Sequence, residues 1–362
     1  MMMPSALITE SRTYHLRFDL GGSRGGSGVT EVQVILVRLG ASDGAEGWGL
    51  SYVLKGPWRS SVIAARELAD TLVGGPIPHP ERAWKRSFAS FNRTGLGPNF
   101  VGLAAVDVAL WDLWSKRFKL PLGHLLGGVG DPTPVYASGG FRAGQDPEEA
   151  AELAEAASRA GYCGVKLRLD GGVHDGLIMR RVRDRLPSDT LLLGDANEKL
   201  DRGRALALCH AGRDSGLSFL EEPFPAGDIE SLRWLSSRSE IGLATGEHLQ
   251  SPLETRLIVG EQLVSVIQPD LAMIGGLTPA LRLIQAAAEV GISASPHFLP
   301  GLFVHLTTAC PNLTMLEEFP LLEPLFDGWA GIAGGKMAIL PNIEGHGLTP
   351  KADAIRDLAT DA

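Results

Sequence analysis

The chain has 362 residues, 44% of them hydrophobic and 21% charged, and carries a formal net charge of −9. That length fits a barrel of roughly 250 residues plus a smaller domain, and the acidic balance argues against a nucleic-acid partner, which calls for a basic face. Three cysteines without a Cys-x-x-Cys pair fit a reducing, cytoplasmic setting, and no apolar run nears the roughly 20 residues that span a bilayer, so no membrane partner is expected.

In chain order, residues 1–10 lack a basic segment followed by an apolar core, so no signal peptide is expected. Residues 1–53 read as β structure. Glu31–Leu39 is rich in β-branched residues and stops at Gly40, and Gly44–Val53 follows a turn. Between the first two strands lies a glycine-rich run, 21–28. Composition makes it a flexible hairpin tip, and without a Gly-Lys-Ser/Thr ending it is no phosphate loop. The sharper alternative is a mobile flap over a site.

Residues 58–125 read as helical. Trp58–Val73 stops at Gly74 and Gly75, and Pro80–Arg93 is a second helix. Phe100–Arg117 is the third, with Leu103, Val106, Leu110, Leu113 and Trp114 at helical steps. Asp107 and Asp112 within it read as cap, salt bridge or solvated face. Leu125–Gly128 ends the domain.

From Pro134 short apolar runs alternate with helical stretches, the pattern of βαβ units in a parallel sheet. Strands are expected to begin near residues 134, 164, 190, 217, 241, 264, 292 and 313. The first helix has Asp146 as N-cap, Pro147 in its first turn and Gly161 as its stop; Thr278, Pro279 and Gly291 do the same after the sixth strand. The fold class expected is α/β: a modified (β/α)8 barrel over 131–335, with an α+β N-terminal capping domain over 1–130 to which residues 336–362 return.

Each barrel run ends on ionisable residues: Lys166 and Arg168, Asp195 and Asn197, Glu221, Glu247, Asp270, His297 and Glu317. The first three carboxylates recur every 26 residues. In a closed parallel barrel such ends converge on one mouth, where catalysis sits. Asp195, Glu221 and Glu247 offer hard oxygen ligands without Cys or His, a set that suits Mg²⁺. Any one of them alone reads as a helix cap. Three at a steady interval, repelling one another without a cation, read better as a metal site. Asp270 and His297, on neighbouring strand ends, suit a base oriented by a carboxylate, although a lone histidine is more often structural. Lys166 and Arg168 stand two apart on one side of their strand and need anionic company, which the metal carboxylates and a carboxylate substrate provide.

Taken in order, these residues resemble the enolase superfamily, and within it the mandelate racemase subgroup, over nearly the whole chain. Ala105–Leu113 with Leu125–Gly128 is similar to the end of the family's capping domain. Lys166-Leu-Arg168 resembles its Lys-x-Lys/Arg motif. Gly194–Asn197, Glu221-Glu-Pro223 and Gly246-Glu247 resemble its metal-ligand strands, Gln268-Pro-Asp270 with His297 its Asp–His dyad, and Glu317 its eighth-strand glutamate. The resemblance implies that a base removes the proton α to a carboxylate while Mg²⁺ stabilises the enediolate. It also implies that the 21–28 loop and the Tyr52–Trp58 segment close over the mouth.

One departure matters. Arg168 stands where the family often has a second lysine as base, and a guanidinium stays protonated. Racemisation needs a proton-transferring group on each face of the intermediate. Dehydration needs one base, which can return its proton to the departing β-hydroxyl. The expectation is therefore a Mg²⁺-dependent lyase that dehydrates a sugar acid to a 2-keto-3-deoxy acid. Its base is His297 with Asp270; assistance to the departing hydroxyl from Lys166 or Arg168 is the alternative. Glu317 would bond the substrate carboxylate, Asn197 a hydroxyl, and Arg24 and Lys55 from the cap a polyhydroxy or carboxylate substrate; solvated loop charges are as good a reading of those two. A racemase, epimerase or lactone cycloisomerase is the alternative, and a non-catalytic metal- and ligand-binding barrel a remote one. The expected partners are a small-molecule carboxylate and further copies of the chain.

Overall fold

The computed structural model describes residues 6–24 and 28–360, the side chains of residues 23 and 24 excepted. Three antiparallel strands come first: β1 (Ile8–Arg24), β2 (Val29–Ala41) and β3 (Glu46–Val53). The run in β2 is almost continuously apolar because both faces are covered. Val32, Val34 and Leu36 join the large core that continues into the barrel. Ile35, Val37 and Leu39 alternate with them and pack in a second core with the cap's own helices.

Those helices are α1 (Arg59–Asp70), α2 (Pro80–Ser90), α3 (Gly97–Arg117) and the short α4 (Leu122–Gly127). β3 lies directly on α3. A Cβ at Gly49 would stand 2.0 Å from the Ala105 carbonyl oxygen, so only glycine permits this approach.

The barrel strands start close to the expected positions. β4 (Thr133–Ala137), β5 (Gly164–Arg168), β6 (Leu191–Asp195), β7 (Leu217–Glu221), β8 (Gly242–Thr245), β9 (Val266–Ile267) and β10 (Ser293–Ala294) pair in that order, all parallel. β11 (Leu316–Glu318) pairs with the other side of β4. Leu313 bridges to Ala294, and the Thr314 N–H donates to the Ala294 carbonyl at 3.1 Å, which joins the last strand to β10 and completes the ring. Between strands run α5 (Pro147–Arg159), α6 (Asp175–Arg185), α7 (Arg202–Asp214), α8 (Ile229–Ser236), α9 (Pro252–Gly260), α10 (Leu271–Ile274), α11 (Leu277–Ala288) and α12 (Pro300–Phe303).

Asp146 caps α5 as expected, accepting from the Glu148 and Glu149 N–H groups. Thr278 does not cap α11. It lies inside the first turn, because the capping oxygen comes from the other domain. Asp107 of α3 accepts from the Thr278 N–H at 2.8 Å and from its hydroxyl at 2.6 Å. Asp112, one turn on, accepts from the Trp48 N–H (2.8 Å), the His346 N–H (3.0 Å) and the Lys116 ammonium (2.6 Å). Both aspartates are therefore structural pins between segments distant in sequence.

After β11 the chain forms a hairpin, Ile332–Ala333 with Lys336–Met337, whose second strand pairs antiparallel with β4. It then crosses to the cap, where Gly345 exchanges backbone bonds with Leu120 and Leu122 and Ala359–Thr360 pairs with β1.

Two buried histidines hold this junction. His305 Nδ1 accepts from the Gly123 N–H (3.1 Å) and its Nε2–H donates to the His346 carbonyl (3.1 Å). His346 Nδ1 accepts from the Leu348 N–H (3.1 Å), and its Nε2–H donates to the Trp48 carbonyl (2.6 Å). Both rings must be neutral to do this. Burial pushes both below the usual imidazole value, His305 to about 3. A depressed folded-state pKa contributes stability above the unfolded value, and that contribution is lost as pH falls through it. Stability in chemical denaturation should thus decline from about pH 6.5 toward pH 4 by about 1.4 kcal/mol per pH unit for His305, with His346 adding in the same direction and a shallower slope in His305→Asn.

Candidate active site

The barrel strands β5 to β8 end on charged or hydroxylic side chains because one end of each short buried strand opens onto the mouth. Lys166 and Arg168, two apart on β5, point to the same side, as expected of a strand. Lys166 is fully buried. Its Nζ lies 3.0 Å from both Glu221 oxygens, 2.8 Å from Glu317 Oε1 and 3.8 Å from Asp195 Oδ2. Burial alone would lower its pKa, but Glu221 and Glu317 outweigh that and hold it well above its ordinary value. Arg168 donates to Asp195 Oδ2 and, at 3.0 Å, to the Ser138 hydroxyl at the end of β4. Burial opposes its charge too, yet Asp195, Glu317 and Glu221 keep it charged. Neither residue is a base as it stands.

Asp195 and Glu221 are fully buried and Glu247 nearly so, and they follow one another on β6, β7 and the turn after β8. Asn197 donates its N–H to Asp195 Oδ1 (2.8 Å) and its side-chain amide to Oδ2 (3.1 Å). Gln268 donates to Glu221 Oε2 at 2.8 Å. Burial raises Glu221, and Asp195, Glu247 and Glu317 raise it further against the pull of Lys166, to about 8.

The dyad is assembled. His297 Nδ1 lies 2.8 Å from Asp270 Oδ2, and its Nε2 faces Glu247 Oε2 at 3.1 Å. Asp270 Oδ1 accepts from the Met273 N–H, and Tyr52 of β3 donates its hydroxyl to Oδ2. Burial lowers His297, but Glu247, Asp270 and Glu317 together carry it to about 10. Glu317 accepts from the Phe298 N–H at 3.1 Å. Burial would raise it, but Lys166, His297 and Arg168 hold it below the ordinary carboxylate range. It is an anion in this setting, and bonding a substrate carboxylate would require it to carry a proton.

These residues fit a divalent cation. Asp195, Glu221, Glu247, Asp270 and Glu317 share the mouth with two permanent cations, Lys166 and Arg168, and the negative charge of Asp195, Glu247 and Glu317 adds to burial in raising Glu221. The donor set of Asp195, Glu221 and Glu247 is all oxygen, as Mg²⁺ prefers.

Backbone strain gathers at the same rim. Asn197, Glu198, Glu222, Phe298 and Leu299 all have positive φ, between 40° and 62°. Of the two cap cations named from sequence, Lys55 is exposed in the turn after β3, with no contact joining it to the cluster among the described residues. The Arg24 side chain and residues 25–27 of the glycine-rich run lie outside the described residues. Ser138, Gln268 and the Tyr52 hydroxyl are site groups that sequence reasoning missed. Gln268 stands two before Asp270, and that spacing is the signal that finds it. The bond between Tyr52 and Asp270 crosses domains and leaves no mark in sequence.

Residues 148–354 match the family model described as enolase C-terminal domain-like, and residues 24–127 that of the mandelate racemase / muconate lactonizing enzyme N-terminal domain. The chain is 32% identical to L-talarate/galactarate dehydratase of Salmonella typhimurium over 88% of its own length and 80% of that protein's. It is also 32% identical to a putative L-rhamnonate dehydratase of Caldivirga maquilingensis, over 76% and 68%. The crystal structure of L-talarate dehydratase from Polaromonas sp. JS666 complexed with Mg and L-glucarate superposes with a TM-score of 0.89 at 29% identity, covering 99% of this chain and 98% of that one.

Tyr52→Phe removes one of the two donors on Asp270 Oδ2. Turnover should fall about tenfold, the worth of one hydrogen bond to a charged group, with KM little changed. The acidic limb of the pH–rate profile should move to higher pH, because a less-solvated Asp270 holds the imidazolium more tightly. An unchanged kcat and profile would show that the contact does not position the dyad.

Proposed function

Because the chain belongs to the mandelate racemase / muconate lactonizing enzyme family of the enolase superfamily, we propose that it is a Mg²⁺-dependent hydro-lyase. It removes water from a sugar acid to give a 2-keto-3-deoxy acid. The observation that carries this reading is the asymmetry of the mouth. One side holds a histidine oriented by a carboxylate; β5 offers a lysine and an arginine that their carboxylate neighbours keep charged. The relatives named above are dehydratases of sugar acids, in keeping with such a one-base site.

Asp195, Glu221 and Glu247 would hold Mg²⁺, which when bound neutralises charge that builds on the substrate carboxylate as the α-proton leaves. His297 Nε2 takes that proton while Asp270 accepts the Nδ1–H and fixes the tautomer. The imidazolium then returns the proton to the hydroxyl on the β-carbon. The C–O bond breaks, water departs, and the enol left behind tautomerises to the 2-keto acid. Substrate must therefore bear hydroxyls on both the α- and β-carbons. Lys166, anchored by Glu221 and Glu317, and Arg168, anchored by Asp195 and Ser138, are rigid donors that hold substrate oxygens. Asn197 is placed to bond a hydroxyl beside them. Homo-oligomerisation and a cytoplasmic setting remain part of the proposal.

His297→Asn should lower kcat by about 10²–10⁴-fold, the usual worth of a general base, in a screen of acid sugars for 2-keto acid formation. Near-native turnover in that variant would return the base role to β5. Substrate recovered part-way through reaction in D₂O should keep its α-configuration; epimerised, deuterated substrate would instead mark a two-base isomerase. Exhaustive EDTA treatment should abolish activity and Mg²⁺ restore it, and full activity in the chelated protein would remove the metal role.

A further inference from the structure

A second group of metal-ligating side chains stands beside the first. Glu198, Glu222 and His248 each bring one ligand atom to within 4.8 Å of the others'. They come from three consecutive strand-end loops, after β6, β7 and β8, and each lies one to three residues beyond a carboxylate of the triad. His248 Nδ1 is 2.7 Å from Glu222 Oε2 and 3.8 Å from Glu198 Oε1, and Glu198 Oε1 accepts from the Ala226 N–H at 2.6 Å.

Glu222 carries the argument beyond an ion pair. Its side chain is fully buried, yet Oε1 has no hydrogen-bond partner among the described residues. A buried carboxylate oxygen left unbonded needs an explanation, and a bound ion beside His248 and Glu198 supplies one. His248 and Glu198, by contrast, have side chains 44% and 30% exposed. The cluster is thus deep on one side and open to solvent on the other, so an ion can enter and keep water in its remaining positions.

We propose that Glu198, Glu222 and His248 form a second cation site, separate from the Asp195–Glu221–Glu247 triad, for a borderline divalent transition metal such as Zn²⁺. The donor sets divide the two sites. Three carboxylates suit hard Mg²⁺, whereas one imidazole with two carboxylates suits Zn²⁺ and its first-row neighbours. His248 Nδ1 also lies 3.6 Å from Glu247 Oε1, so an ion here sits beside a ligand of the first site.

The test is a calorimetric titration of the full chain, saturated with Mg²⁺, with ZnCl₂. Metal analysis after dialysis counts both ions. One equivalent of Zn²⁺ per chain, bound while Mg²⁺ is retained, is the expected result. Affinity should fall at least tenfold in both His248→Ala and Glu198→Gln. These part-exposed positions spare the buried Glu222, and thermal melts check that both variants fold. Co²⁺ used in place of Zn²⁺ should give visible absorption that is lost in His248→Ala. No Zn²⁺ bound beyond the Mg²⁺ site would show that His248 and Glu222 form an ion pair only. Zn²⁺ bound equally well by His248→Ala, with Mg²⁺ displaced, would place it in the triad. Either result overturns the second site and leaves the Mg²⁺ reading to its own test by chelation.

Discussion

Five carboxylates and two permanent cations are confined to one buried barrel mouth, and the other features of the site follow from that imbalance. Lys166 and Arg168 stay charged where burial alone would discharge an amine, since each lies against carboxylate oxygens. Being charged, they are donors and holders rather than bases. The proposed base is His297, and Glu247, Asp270 and Glu317 bias it toward imidazolium. A divalent ion on Asp195, Glu221 and Glu247 would relieve the repulsion and loosen the grip of Glu247 on His297. The metal and the base are thus two parts of one electrostatic arrangement.

The ionisable residues of the barrel mouth were legible in sequence for a physical reason. A short parallel strand is buried on both faces, so it reads as an unbroken apolar run, and an ionisable residue at its end is conspicuous. Lys166, Asp195, Glu221, Glu247, Asp270, His297 and Glu317 all stand out this way. Arg168 was legible in a further sense. Its chemistry as a guanidinium limits what β5 can do, whatever the geometry. The starts of β4 to β8 also follow from such runs, whereas β9 and β10 are only two residues long, so their edges were vaguer.

What stayed hidden has its partner on a segment distant in sequence. Thr278 has every local mark of an N-cap, yet Asp107 from α3 supplies the oxygen. His305 and His346 are unremarkable in sequence and become a neutral pair only where α4, the barrel and the returning chain meet. Glu222 follows Glu221 and reads as a duplicate of it. The tight turn that gives Glu222 positive φ sends its side chain to a different neighbour, His248.

The Tyr52 hydroxyl on Asp270 bears on how such proteins diversify. Cap and barrel look like separable modules, one for selectivity and one for chemistry, and recombination between relatives would seem free to exchange caps. Here the cap reaches through the seam to Asp270, the carboxylate bonded to His297. A donor cap lacking a hydroxyl at this place would bring a new lid and at the same time strip a hydrogen bond from the Asp270–His297 pair beneath it. The two modules are therefore coupled through one bond, which changes in the loops around Tyr52 would leave intact and replacement of the sheet that carries it would not.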